Sequence, residues 1–185
     1  MRLTFRALYE IHGWRIVLDL FVGVLPPHHM IDETAFYHGA ALVRLLDDSR
    51  CATVRKHPCG YVVNDALFVY LKYTTKKRGP WGFSASGLDL ARLAAVRAEF
   101  SFVCIGLVCG GDGVCAVSAP EFEAILGGSP GWVSVRRQFH KRYTVSGAKG
   151  ALDRKVAMQR WPTLLFAETS EVEEEAELEE TPTGP

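Results

Sequence analysis

Two groups of cationic side chains are the residues of this sequence most able to bind another molecule. The first is the run Lys76, Lys77 and Arg78. The second is the segment 136–160, which contains eight Lys and Arg residues and one acidic residue, Asp153. Lysine and arginine at this density bind phosphate groups, and Phe139, Tyr143 and Trp161 are interleaved with or follow the second group. Trp81, after the first group, is expected to lie in the core, and the alternative is an exposed ring that suits base stacking. The candidate nucleic-acid-binding residues are Lys76, Lys77, Arg78, Arg136, Arg137, Lys141, Arg142 and Lys149.

The formal net charge of zero hides an uneven distribution of charge along the chain. Seven of the 21 acidic residues lie after position 170, which leaves 14 against all 21 Lys and Arg residues in 1–170, a net charge of +7. Because the acidic end has few apolar residues, we expect 1–168 to form one globular domain and 169–185 to be a disordered tail. Two roles for the tail remain open: a solubilising segment, or an electrostatic mimic that folds back over the basic body.

The stretch 61–83 is expected to position the first basic group. Two apolar runs, Tyr61–Val63 and Ala66–Tyr73, flank Asn64-Asp65, a dipeptide that accepts the positive φ of a tight turn. This pattern predicts a β-hairpin whose second strand ends just before the basic run. The Gly-Pro pair that follows ends the strand, and a further strand begins after it.

Other patterns predict an α+β fold, close to α/β, in which helices flank a central mixed sheet. An apolar face through residues 35–46 predicts a first helix, and a second is predicted from Ser86 or Asp89 to Phe100. The continuous apolar run Phe102–Val108 is typical of a strand covered on both faces. Residues 14–24 are open between a strand pair and a short buried helix, with a preference for strands from Arg15 onward. The other expected elements are a strand at 51–56, a turn at 110–113, a strand at 114–118, a helix from 120 to about 127 and a strand at 132–135.

The predicted order of one helix, three strands, one helix and one strand resembles the αβββαβ core of the PD-(D/E)XK restriction-endonuclease-like superfamily. The resemblance covers about residues 32–127. It implies a metal-dependent nuclease in which an Asp on one strand and an acidic-x-Lys tripeptide on the next bind a divalent cation such as Mg²⁺ and activate water. The residues it assigns to catalysis are Asp65, which is also the metal ligand, Lys72 in Tyr70-Leu71-Lys72, and Glu33 as an additional acid.

The sequence departs from the pattern of that superfamily at two places. Position 70 is Tyr where the pattern has Asp or Glu, and Asp65 lies in the predicted turn that precedes the strand carrying Lys72. Seven residues of one straight strand would separate Asp65 from Lys72 by about 23 Å, which is too far for one shared metal ion. Two functions therefore remain: a nucleic-acid-binding protein that resembles a metal-dependent nuclease, active or catalytically degenerate, and a non-catalytic adaptor that binds a protein partner through the basic face and the acidic tail.

Cysteine and histidine residues offer other chemistry. The five cysteines contain no CxxC pair, so we interpret them as reduced thiols rather than zinc ligands. His28 and His29, in a proline-containing loop, are interpreted as surface residues, and no sequence spacing supports a catalytic pair of a cysteine with His140.

The longest apolar run, Ile16–Leu25, is shorter than the roughly 18 residues that a membrane span needs, and Asp19 and Gly23 interrupt it. The N-terminus also lacks the order of charge and apolar residues found in a signal peptide. We therefore expect a cytoplasmic protein without a membrane span.

Overall fold

The computed structural model describes residues 5–11, 14–20 and 31–167, and the chain divides into two units, 1–32 and 33–185. The first unit contains an antiparallel hairpin of β1 (Phe5–Ile11) and β2 (Trp14–Leu20). The preference for strand structure from Arg15 onward is thus confirmed as far as Leu20. The predictions for His28, His29 and the acidic tail lie outside the described residues.

The described part of the second unit contains four helices, a five-stranded mixed sheet and a three-stranded antiparallel sheet, which confirms the predicted α+β class. The helices are α1 (Glu33–Leu46), α2 (Gly87–Glu99), α3 (Ala119–Leu126) and α4 (Arg160–Thr163), with a 3₁₀ turn at Leu164–Phe166. The strands are β3 (Val54–His57), β4 (Gly60–Val63), β5 (Leu67–Thr74), β6 (Trp81–Ala85), β7 (Phe102–Cys109), β8 (Val114–Ser118), β9 (Gly131–Arg136) and β10 (Thr144–Gly147). None of the helices in the described ranges has the length and apolar character needed to cross a bilayer.

The five-stranded sheet has the order β3-β4-β5-β7-β8. Strands β5 and β7 are parallel, with Leu67 opposite Phe102 and Thr74 opposite Cys109, and the other neighbours are antiparallel. Parallel neighbours need a crossover connection, which here consists of β6 followed by α2. The predicted order of helix, three strands, helix and strand is therefore present, and β6, the further strand predicted after the Gly-Pro pair, precedes the second helix. Strand β6 pairs with β9 and belongs to the three-stranded sheet, whose order is β10-β9-β6.

Local signals in the sequence account for the main element boundaries. Asn64 and Asp65 have φ values of 49° and 60°, which suits the tight turn between β4 and β5. A capping box opens α2, because the hydroxyl of Ser86 accepts from the amide of Asp89 and the carboxylate of Asp89 accepts from the amide of Ser86. A second capping box opens α3.

Two apolar clusters cover the two faces of the five-stranded sheet. The side chains of β5 alternate between them, as the period of a strand requires. Phe68 and Tyr70 face α2, α3 and the three-stranded sheet, whereas Val69 and Leu71 face α1 and α4. Every residue of β7 is buried, which confirms the prediction from its continuous apolar sequence.

Candidate nucleic-acid interface

A groove beside the three-stranded sheet gathers most of the second basic group. It encloses about 710 Å³, and of the nine described residues that line it, five are Lys or Arg and none is Asp or Glu. The lining residues are Gly79, Pro80, Arg136, Arg137, Gln138, Lys141, Arg142, Thr144 and Lys155. A concave surface with one sign of charge concentrates counter-charged ligands. We call this surface the cationic groove.

The loop between β9 and β10 supplies most of the positive charge of the cationic groove. It leaves the sheet after Arg136 and returns at Thr144. Inside the loop, the amide of Lys141 donates to the carbonyl oxygen of Gln138 at 2.9 Å, and His140 adopts a φ of 57°. This turn makes the chain reverse within a few residues, so the cations on either side of it lie along one groove.

An ion pair fixes this loop to the turn between β7 and β8. Nε and Nη2 of Arg137 donate to the two carboxylate oxygens of Asp112 at 2.8 and 2.5 Å, and the hydroxyl of Tyr143 donates to the same carboxylate at 2.9 Å. The side chain of Arg137 is only 9% exposed, so its charge is already neutralised inside the protein. The hydrogen bonds from Arg137 hold the pKa of Asp112 below its ordinary value, although burial opposes them. Arg137 therefore anchors the loop, and the other four cations of the groove are exposed.

The fourth of these exposed cations, Lys155, reaches the groove through a backbone bridge. Tyr143 and Val156 exchange two hydrogen bonds of 2.8 Å between their amides and carbonyl oxygens. Because Lys155 directly precedes Val156, this pairing places it against the start of β10.

The first basic group lies in the loop 75–80, which ends at the groove. Nζ of Lys76 donates to the carbonyl oxygen of Pro80 at 2.8 Å, and Nε1 of Trp81 donates to the carbonyl oxygen of Lys76 at 3.0 Å. These bonds close the loop on itself. The loop carries three exposed cations, Lys76, Lys77 and Arg78, before the groove-lining Gly79 and Pro80.

The turn between β7 and β8 supports this loop as well. Gly110 has a φ of +56°, and a Cβ atom there would collide with the carbonyl oxygen of Lys76. Only glycine therefore allows the two backbones to come this close. One turn thus contacts loop 75–80 through Gly110 and the β9–β10 loop through Asp112, and it holds together the two basic groups that the sequence separates.

Lys149 does not line the cationic groove. It lines a neighbouring cleft of about 1010 Å³ together with Glu121, Asp153, Arg160 and other residues, among them Lys155, which lines both the cleft and the groove. Glu121 and Arg160 form an ion pair at 3.0 Å, so the charges in this cleft are mixed. Lys149 therefore does not line the groove that Arg136, Arg137, Lys141 and Arg142 line.

Lys72 lies near the C-terminal end of β5 and pairs with Asp89 rather than Asp65. Its Nζ is 3.1 Å from Oδ2 of Asp89, and the hydroxyl of Tyr70 donates to Oδ1 of the same carboxylate at 2.5 Å. Burial is the largest single influence on the pKa of Asp89 and raises it, but the hydrogen bonds from Tyr70, Ser86 and Lys72 together hold this pKa well below its ordinary value. Burial and the hydrogen bond to Asp89 raise the pKa of Tyr70. We call Lys72, Tyr70 and Asp89 the Lys72 cluster. In it, the ionised carboxylate of Asp89 neutralises the charge of Lys72.

The predicted catalytic residues Asp65 and Lys72 lie at opposite ends of β5, whereas Glu33 begins α1, whose next residue, Thr34, lines one pocket with Lys72. Asp65 lies in the turn before β5, at the end opposite to Lys72, and its exposed carboxylate pairs with Arg55 at 2.6 Å. Glu33 is the exposed first residue of α1, and its neighbour Thr34 hydrogen-bonds to the end of β5 near Lys72. Within residues 31–167, no group of three or more His, Cys, Asp and Glu side chains is arranged to hold a metal ion. Binding of Mg²⁺ by Asp65 would have to use a carboxylate that is already paired with an arginine.

All five cysteines are free thiols. Cys104, Cys109 and Cys115 are buried, and burial raises the pKa of Cys104 to about 12. A thiol with so high a pKa is protonated at neutral pH and is a poor nucleophile.

Two residues that shape this region, Asp89 and Asp112, are absent from the predicted site. The sequence marks Asp89 as a capping residue of α2 and Asp112 as a turn residue between glycines. Their partners Lys72 and Arg137 are distant along the chain, so no local pattern joins them. The pair of Asp89 with Lys72 forms because α2 packs on β5. The pair of Asp112 with Arg137 forms because the β9–β10 loop packs on the β7–β8 turn.

The ionised state of Asp89 predicts a dependence of stability on pH. Because the pKa of Asp89 in the folded protein lies below its unfolded value of about 4, its stabilising contribution is complete above that pH and is lost as the pH falls through the folded-state pKa. We expect the free energy of unfolding, measured by urea titration, to fall less steeply below about pH 4 in Asp89→Asn than in the wild type. Tyr70→Phe, which removes one hydrogen bond to this carboxylate, should be intermediate. Equal slopes in the three proteins would contradict this role of Asp89.

No family model, curated protein or solved structure matches this chain. The resemblance to the PD-(D/E)XK superfamily stays a prediction that depends on the order of the elements. The geometry of the cationic groove and of the Lys72 cluster is therefore the basis for a functional proposal.

Proposed function

We propose that this protein binds nucleic acid through the cationic groove and does not cleave it. The observation that supports binding most strongly is that four exposed cations line one groove without an acidic neighbour in its lining. These residues are Arg136, Lys141, Arg142 and Lys155. Contacts of Lys and Arg with phosphates supply affinity that does not depend on base sequence.

The Lys72 cluster supports binding without cleavage. In a nuclease of the superfamily that this sequence resembles, the lysine would act beside carboxylates that hold a metal ion. Here Tyr70 stands at the acidic position, and its hydroxyl and Lys72 both bind the single carboxylate of Asp89. This carboxylate is satisfied by protein groups, including the capping hydroxyl of Ser86. The cluster therefore suits a structural role that links α2 to β5.

A salt series tests the binding proposal. We expect the full chain to bind a labelled oligonucleotide with an affinity that falls as salt concentration rises, because binding releases counterions from phosphates. Arg142→Ala should weaken binding roughly fivefold at low salt and lower the salt slope by about 1. Lys149→Ala is the matched control, since it removes the same charge outside the groove and should bind like the wild type. Equal losses in the two variants would refute the assignment to the groove, and no binding at low salt would refute the function.

A metal-dependent nuclease is the second candidate, and the order and pairing of β3, β4, β5, α2 and β7 favour it. Incubation of the same sample with Mg²⁺ or Mn²⁺, followed by measurement of oligonucleotide length, separates the two candidates. Our proposal predicts intact strands. Metal-dependent cutting that is lost in Lys72→Ala would establish the nuclease instead, whereas a failure to bind any oligonucleotide would favour the adaptor that binds a protein partner.

A further inference from the structure

The loop between β9 and β10 exposes Phe139 in the chain segment between Gln138 and Lys141, which both line the cationic groove. The side chain is 82% exposed, more than any other large hydrophobic residue in the described part of the chain. Single exposed apolar residues are common on protein surfaces, so the position of Phe139 matters more than its exposure. Its neighbours Gln138 and Lys141 both line the groove.

The backbone that carries Phe139 is fixed on both sides. Before it, Arg137 is tied to Asp112 through two hydrogen bonds. After it, the amide of Lys141 donates back to the carbonyl oxygen of Gln138. The ring centroid of Phe139 lies 3.9 Å from that of His140, at an interplanar angle of 59°. The phenyl ring is therefore exposed to solvent on a braced loop that also carries the groove-lining cations Lys141 and Arg142.

We infer that the groove takes single-stranded nucleic acid, with Phe139 stacking on an unpaired base while the cations hold the phosphates on either side. This inference rests on the proposed function and names its substrate class. In a duplex the faces of the bases are stacked inside the helix, so an aromatic side chain beside the groove cannot stack on them. In a single strand the base faces are open, and an aromatic platform beside a phosphate track is the arrangement that binds them. Single-stranded DNA and RNA share this chemistry.

The test uses the full chain and three labelled ligands of equal length: a single-stranded oligonucleotide, the matching duplex and an abasic deoxyribose-phosphate strand. We expect Phe139→Ala to lose about tenfold in affinity for the single strand. Its affinity for the duplex and for the abasic strand should stay at the wild-type value, because these ligands offer phosphates without accessible base faces. Phe139→Tyr keeps the ring and should bind the single strand like the wild type.

A spectroscopic readout separates stacking from an indirect effect on the loop. In Phe139→Trp, the single strand should quench the indole fluorescence beyond the change seen in the wild type, and the abasic strand should not. Equal binding of the single strand by wild type and Phe139→Ala would overturn the inference. So would equal losses on all three ligands, which would mean that the groove itself is damaged.

The inference and the proposed function fail in different ways. If the wild type binds the duplex with a salt slope that depends on Arg142, but Phe139→Ala binds the single strand normally, only the inference fails. If poly-glutamate competes as well as an oligonucleotide of equal charge, the groove recognises charge alone and the inference is again overturned. If the wild type binds none of the three nucleic-acid ligands, both are refuted.

Discussion

Replacing Asp112 with Ala is expected to lower the free energy of unfolding by about 3 kcal/mol. The side chain of Arg137 is almost fully buried, so the variant leaves a guanidinium without its carboxylate inside the protein, and the hydroxyl of Tyr143 loses its acceptor as well. Urea denaturation monitored by tryptophan fluorescence measures this loss. The same change should weaken oligonucleotide binding at low salt, because the loop that carries Lys141 and Arg142 loses its anchor.

The binding measurement distinguishes positioning from simple electrostatics. Removal of a negative charge near the cationic groove would by itself strengthen the attraction for phosphate. Weaker binding by Asp112→Ala would therefore reveal the loss of loop position, whereas tighter binding would contradict it. Asp112→Asn keeps the shape and one acceptor and should lose less stability. Asp65→Ala breaks an exposed ion pair and should cost less than about 1 kcal/mol.

Trp161→Ala is expected to destabilise the protein by about 4 kcal/mol, because it leaves a large cavity. Trp161 is 1% exposed and lies in the apolar cluster between the five-stranded sheet, α1 and α4. Its Nε1 donates to the carbonyl oxygen of Ala41 in α1 at 3.2 Å. Its indole ring occupies space over β7 at Gly106, where a Cβ atom would lie 3.4 Å from the ring. One side chain therefore joins α4 to both α1 and the sheet.

Thermal and urea unfolding of Trp161→Phe provide the comparison for this prediction. Phenylalanine keeps part of the buried volume and loses the hydrogen bond to Ala41, so its loss of stability should be smaller than that of the Ala variant. Neither change should alter oligonucleotide binding by the folded protein, because Trp161 belongs to the cluster on the other face of the sheet from the three-stranded sheet. A loss below about 1 kcal/mol in Trp161→Ala would show that the surrounding side chains collapse into the space.

The parts of the fold that could be predicted are those encoded by neighbouring residues. Asn64-Asp65 predicted a turn because both residues accept positive φ, and Ser86 with Asp89 predicted the start of α2 through reciprocal capping. The run Phe102–Val108 predicted a strand buried on both faces because it has no polar position. Each of these signals acts within a few residues, where the chemistry of one segment decides its conformation.

The site could be predicted only in part because its geometry depends on distant segments. The basic residues at 76–78 and 136–142 were recognisable by composition, but their meeting at one turn depends on Gly110 and Asp112. Lys149 has the same chemistry and lies in another cleft. Lys72 was expected to act with Asp65, whereas the crossover through α2 brings Asp89 to it. A cluster of charged residues can be seen within a short stretch of sequence. The ion-pair partner of each charge comes from a distant segment and is known only from the fold.

The pairing of β6 with β9 determines when the protein acquires its binding surface during synthesis. Trp81 pairs with Val135, so β6 cannot pair with β9 until the 45 residues between the two strands, 86–130, and β9 itself have been synthesised. Such non-local pairing carries a large loop-closure cost and forms late. The five-stranded sheet needs nothing beyond β8 and can assemble earlier. The groove is therefore expected to form after the five-stranded sheet, and during synthesis its basic residues are exposed before the groove exists.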